Sequence, residues 1–138
     1  NEVECGDHYA RAMASWGVFT ALCGFEYHGP KGHIRFAPQM SPEDFRAAFT
    51  GAEGWGLFAQ TRSNDAQRER IELRWGQLNL KTIALSVPLE WNNVEVDIRH
   101  EGKTLRCTHS VGAGELRIEL TEPVRLFEGQ ALDIVIRR

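Results

Sequence analysis

Five chargeable residues, Glu2, Glu4, Asp7, His8 and Arg11, crowd the first eleven positions of the chain. A carboxylate accepts hydrogen bonds from sugar hydroxyls, and a guanidinium donates to their oxygens in a planar fork. Together they can read the hydroxyl pattern of a polyol. The same residues have a plainer reading. Acidic groups near a helix N-terminus interact well with its dipole, and Asp7 with Arg11 is an i,i+4 pair. On pattern alone the plainer arrangement is the commoner one.

A helix must position these groups. From His8 the stretch HYARAMASWGVFTALCGF puts Tyr9, Met13, Trp16, Phe19 or Thr20, and Cys23 at spacings of three and four. Gly6 and Asp7 make a start, since Asp accepts from the unsatisfied first-turn amides, and Gly24 is a stop in the left-handed conformation. The opposite side, with Ala10, Ala12, Ala14, Gly17, Val18 and Ala21, is small or apolar too. A helix apolar nearly all round is ordinarily covered on both sides, so neighbours are expected that this chain does not supply. The sequence also opens without a methionine, which fits the closing segment of a larger chain.

The stretch EYHGPKGHIRFAP follows, with a turn expected at Gly29-Pro30 and an extended piece at Ile34–Phe36. Ser41-Pro42-Glu43-Asp44 carries a helix-start signal, which predicts a short helix near 42–49, and Trp55–Gln60 reads as extended. From Arg70 the period changes to two through IELRW, LNLKTIALSV, VEVDIRH, KTLRCTH, ELRIEL and LDIVIRR. Turns are expected near Trp75-Gly76, Trp91-Asn92-Asn93, Glu101-Gly102, Val111-Gly112 and Glu128-Gly129. About six to eight short strands so punctuated predict a β-sandwich-like antiparallel region. The fold class is therefore α+β, one N-terminal helix followed by that sandwich. The organisation reads as 1–26 belonging to a helical domain, 27–69 a linker, and 70–138 a β-rich appendage.

With 138 residues, 42% hydrophobic and 25% charged, the chain has the composition of one ordinary globular domain. A net charge of −3 and a pI near 6.0 give no electrostatic reason to bind nucleic acid. The longest mostly apolar run, Ala12 to Phe25, is too short and too mixed to be a transmembrane segment. Cys5, Cys23 and Cys107 cannot all pair and form no disulfide framework, which slightly favours a reducing, cytoplasmic compartment.

The stretch from Glu2 to Trp16, EVECGDHYARAMASW, resembles the closing segment of the catalytic domain in glycoside hydrolase family 116. These are bacterial β-glucosidases and non-lysosomal glucosylceramidases. FEYHGPKGHIRFAP and EGWGLFAQ resemble the region that follows in bacterial members. The resemblance implies an (α/α)6 barrel whose last helix is the first helix here. It also implies that Glu2 and Arg11, nine residues apart as in the family, bind hydroxyls of the sugar in the −1 subsite. The implied reaction is retaining hydrolysis of a β-glucoside by two carboxyls about 5–5.5 Å apart. Both would lie in the upstream barrel of the same chain. No residue here matches either motif, so this segment supplies no catalytic residue, binds no metal or cofactor, and is expected to be inactive alone.

Other constellations are weaker. Cys5 with His8, and Cys107 with His109, lack a familiar zinc spacing, and His28 and His33 flank the Gly-Pro turn as loop residues. Gly54-Trp-Gly56 lacks the strand-turn-helix setting of a phosphate loop. Trp55, Trp75 and Trp91 could form a sugar-stacking platform, although core packing is the commoner use of such rings. Two rival readings follow. One is a free-standing carbohydrate-binding module using exposed tryptophans, and the other is a non-catalytic interaction domain whose helix docks on a partner.

Overall fold

The structure of the chain, a computed structural model, describes residues 6–138, with side chains from residue 10 onward. One helix, α1 (Gly6–Cys23), leads into strands β1 (Glu26–His28), β2 (His33–Phe36), β3 (Asp44–Thr50), β4 (Gly54–Arg62) and β5 (Ala66–Ser86). The remaining strands are β6 (Glu95–His100), β7 (Lys103–Thr104), β8 (Cys107–Gly112), β9 (Glu115–Phe127) and β10 (Ala131–Arg137). The fold is α+β with a sandwich-like strand region, as the change of period predicts.

The 21-residue strand β5 belongs to both layers. Residues 66–76 lie in a sheet ordered β3-β4-β5-β10-β6-β7, and residues 77–86 lie in one ordered β1-β2-β5-β9-β8. Every pairing is antiparallel except β2 with β5. The turn expected at Trp75-Gly76 is thus a corner inside one strand. Gly76 takes φ +83°, where a side chain is strained, and a Cβ there would lie 2.0 Å from the Glu53 carbonyl oxygen.

Alternate residues of each sheet meet in the interior, among them Ile34, Phe36, Phe58, Ile71, Leu73, Ile83, Ile118 and Ile134, all fully buried. Phe36 and Phe58, from opposite sheets, stack with ring centroids 3.9 Å apart. The Glu101-Gly102 turn closes a hairpin, both residues with positive φ, as a two-residue right-twisted hairpin requires. The next hairpin turns at Ala113-Gly114, just beyond the expected Val111-Gly112.

The short helix expected near 42–49 is absent, and that stretch is β3. Ser41 makes a single turn, its carbonyl accepting from the Asp44 amide at 3.0 Å, and extended backbone follows at once. Phe45, Ala47 and Phe49 turn inward while Asp44, Arg46, Ala48 and Thr50 turn outward. Period-two burial against the core outweighs a local capping signal worth about 1 kcal/mol. Nor is the 27–69 segment a bare connection, because β1 to β4 are hydrogen-bonded into the two sheets.

Helix α1 ends as its glycine predicts. Gly24 has φ +55°, the Gly24 amide donates to Ala21 O, and the Phe25 amide donates to Thr20 O, which is the double bond of a Schellman cap. The Ala37 and Gln39 amides then donate to Cys23 O and Leu22 O. Beyond this anchor the helix stands clear of the sheets. Its residues from Ala10 to Val18 are all exposed, Met13 and Trp16 with about half of their surface. No helix among the described residues is long and apolar enough to cross a membrane.

Candidate functional site

Arg11 lies on the exposed part of α1 and takes part in an interaction there. Glu2, Glu4 and Cys5 lie outside the described residues, as do the side chains of Asp7 and His8. The Glu2–Arg11 pair therefore rests on the family resemblance of residues 2–16. The structure fixes the direction in which α1 leaves the sheets. Arg35 of β2 donates from Nη1 to Gly24 O at 3.1 Å, pairs with Glu26 at 3.1 Å, and pairs through Nε with Glu115 of β9 at 2.9 Å. One guanidinium thus ties the end of the helix to three strands. The hydrogen bond from Arg35 is the main reason the Glu115 carboxyl titrates below the usual range.

The two histidines expected to be loop residues line a cavity of about 480 Å³ on the outer side of the β1-β2-β5-β9-β8 sheet, with Tyr27, Lys31, Thr82 and Arg117. His33 is in β2 and not in a loop. Its Nδ1 lies 2.8 Å from Thr82 Oγ1, and burial, followed by the charge of Arg117, pushes its pKa down. His28 Nδ1 accepts from the Lys31 amide at 3.3 Å and so caps a single 3-10 turn, Gly29–Lys31. That turn contains the expected Gly29-Pro30.

Cys107 is half-buried, and burial raises its thiol pKa. His109 Nε2 lies 3.0 Å from the Val94 carbonyl oxygen. Gly54 and Gly56 are both in strand β4, where a Cβ on Gly56 would come 2.2 Å from the Glu72 carbonyl oxygen, so this glycine serves strand packing.

The tryptophans divide. Trp91 is 1% exposed and belongs to the core, whereas Trp55 and Trp75 are 45% and 60% exposed and are directly opposed across β4 and β5. A patch of that kind on an exposed sheet face is a candidate contact surface.

A polar cluster inside the sandwich was not foreseen. Gln60, Gln67 and Glu69 all face the interior at one end and are at most 3% exposed. Arg62 donates from Nε to Gln67 Oε1 at 2.5 Å and from Nη2 to Ser86 O at 3.0 Å. Gln67 Nε2 donates to Glu69 Oε1 and to Ser86 O. Burial pushes the Glu69 carboxyl up to about 8, against the smaller opposing pull of Gln67 and Arg62. The sequence signal was parity. Extending the inward set of Ile71 and Leu73 back along the strand places Glu69 and Gln67 inside.

No family model matches the sequence, and no curated protein matches it. Among solved structures, an α-L-rhamnosidase from Dictyoglumus thermophilum is similar at 10% sequence identity, with a TM-score of 0.46. The match covers 85% of this chain and 12% of that enzyme. So loose a likeness decides neither architecture nor activity.

Proposed function

We propose that this chain is the closing part of a retaining, β-glucosidase-like glycoside hydrolase of the family 116 type. In this reading α1 is the last helix of the catalytic barrel, and Glu2 and Arg11 hold hydroxyls of the sugar in the −1 subsite. One observation carries it: an 18-residue helix whose C-terminal turn is hydrogen-bonded to the segment after β2, with Met13, Trp16, Val18 and Leu22 exposed among the described residues. Apolar groups of this size are stabilised by roughly 1.5–3 kcal/mol each when covered, so a helix that displays several is built to be covered. The spacing of Glu2 and Arg11 adds the polyol chemistry. An interaction domain docking through α1 would share the apolar surface but would have no use for that pair.

The two side chains would position substrate while carboxyls of the upstream barrel carry out the displacement. Their contribution counts toward rate to the extent that the hydrogen bonds strengthen as the oxocarbenium-like transition state forms. The test is the protein made from the whole reading frame that contains this chain, assayed on an aryl β-glucoside. Arg11→Ala is expected to lower kcat/KM by roughly 10- to 150-fold, the worth of a charge-assisted hydrogen bond of about 1.5–3 kcal/mol. An unchanged kcat/KM, or a reading frame with no helical domain before this segment, removes the proposal.

A further inference from the structure

We infer that Trp55 and Trp75 form a binding platform for the flat face of a neutral, equatorially linked glycan such as a β-glucan. The geometry begins with β5. Ile71 and Leu73 point into the core and are 0% exposed, so simple alternation would send Trp75 inward after them. It does not go there. The register of β4 with β5 shifts between Trp55 and Gly56, so that Gly56 pairs with Leu73 but Trp55 pairs with Trp75. The extra residue on β5 is Arg74. A bulge of this kind re-aims the next side chain, and here it brings Trp75 onto the outer face beside Trp55.

Glycines make the bulge possible. A Cβ on Gly54 would lie 2.4 Å from the Trp75 carbonyl oxygen, and Gly76 needs its positive φ to turn the corner directly after Trp75. Directly opposed residues on a sheet face have Cβ atoms about 5 Å apart, so the two indoles leave the outer face from neighbouring positions, without packing on one another. Among the described residues neither ring packs on another aromatic ring, and neither indole N–H has a hydrogen-bond acceptor. Two half-exposed apolar rings, each with an unused donor, suit a ligand with an apolar face and hydroxyls at its rim.

The border of the platform selects the ligand class. Glu72 and Arg74 pair at 3.2 Å, and Gln77 Nε2 donates to Glu53 Oε2 at 3.1 Å. These are planar groups already held in place, able to accept from and donate to hydroxyls. Glu53 and Glu72 would repel the phosphates of a nucleic acid. This inference concerns the sandwich and stands whether or not α1 completes a catalytic barrel.

The test is native electrophoresis of the chain through gels with and without a soluble mixed-linkage β-glucan, with amylose as the curved, α-linked comparison. Retardation by the β-glucan alone is expected. Trp55→Ala and Trp75→Ala should each weaken it by roughly tenfold or more, while Trp55→Phe and Trp75→Phe retain most of it because a ring remains to stack. Both positions are exposed, so circular dichroism of the variants should match the parent. No retardation of the parent chain, or full retardation of both alanine variants, overturns the inference. So does a change of sedimentation coefficient in the alanine variants without loss of glycan binding, which would make a second copy of the chain the occupant.

Discussion

Raising the pH from about 5 to about 8 is expected to lower the unfolding free energy by roughly 4 kcal/mol, and Glu69→Gln should remove most of that fall. Glu69 is buried in the sandwich, and its carboxyl is held up at about 8, chiefly by desolvation. In the unfolded chain it titrates near the ordinary value of 4.5. Between those values the folded protein keeps a proton that the unfolded chain has lost, so folding takes up a proton and rising pH opposes it. The cost is about 1.4 kcal/mol per pH unit across the window and levels off above the folded value.

The arrangement around Glu69 explains why charge is not retained by pairing. Arg62, whose charge acts on Glu69, donates to Gln67 Oε1 and Ser86 O and is itself shared with the fields of Glu43 and Glu90. Glu69 Oε2 and Gln60 Oε1 are both buried without a hydrogen-bond partner, and Gln60 and Glu69 are directly opposed in the β4–β5 register. A protonated Glu69 supplies the missing donor between two acceptor oxygens. Glutamine at position 69 would supply it at every pH. Urea titrations of parent and Glu69→Gln at a series of pH values should therefore coincide near pH 5 and diverge to about 4 kcal/mol by pH 8.5. Comparing the two proteins cancels His33, whose lowered pKa contributes with the opposite sign. Parallel curves would show that Glu69 is ionised in the folded state.

The second large effect belongs to Gly76→Ala. It should destabilise the protein by about 3–5 kcal/mol and lower its Tm by roughly 10 °C or more. Two costs add. At φ +83° an L side chain is strained, and its Cβ would sit 2.0 Å from Glu53 O and 2.8 Å from Gly54 Cα, both backbone atoms that cannot swing aside. The residue is the corner at which β5 leaves one sheet for the other, so relief would require moving the β3–β4 turn and the strand together. Gly102→Ala makes the control, because it has a similar φ of +77° but no atom within 4 Å of the added Cβ. It should lose only the conformational part, about 1–2 kcal/mol. Equal losses at the two positions would remove the steric half of the argument. Calorimetry on both variants reads the difference.

Local rules carried much of the architecture. Stripe spacing and Gly24 delimited α1 at its C-terminus, alternation from Arg70 announced the sandwich, and Glu101-Gly102 announced a hairpin, because each depends on neighbours within a few residues. The polyol reading also came from one short segment, in which the family resemblance singles out Glu2 and Arg11. Where local and distant forces disagreed, the distant ones won. Ser41-Pro42-Glu43-Asp44 asks for a helix, but Phe45, Ala47 and Phe49 have a core to enter only as a strand. Trp75-Gly76 asks for a turn, but hydrogen bonds to β4 and β9 on either side keep the chain in one strand around a corner.

Tertiary structure alone decided which tryptophans face water. Trp55, Trp75 and Trp91 have equivalent apolar rings, and a bulge at Arg74, set where β5 pairs with a strand twenty residues away, turns Trp75 outward while Trp91 fills the interior. It alone set the Glu69 carboxyl opposite the Gln60 amide with an unpartnered oxygen on each, since burial is a property of the assembled sheets. The amino-acid order determined the periods, the turns and a helix apolar nearly all round. The packing of two sheets over a shared strand determined which polar group loses its charge and which aromatic rings remain available, because desolvation and register exist only once distant segments meet.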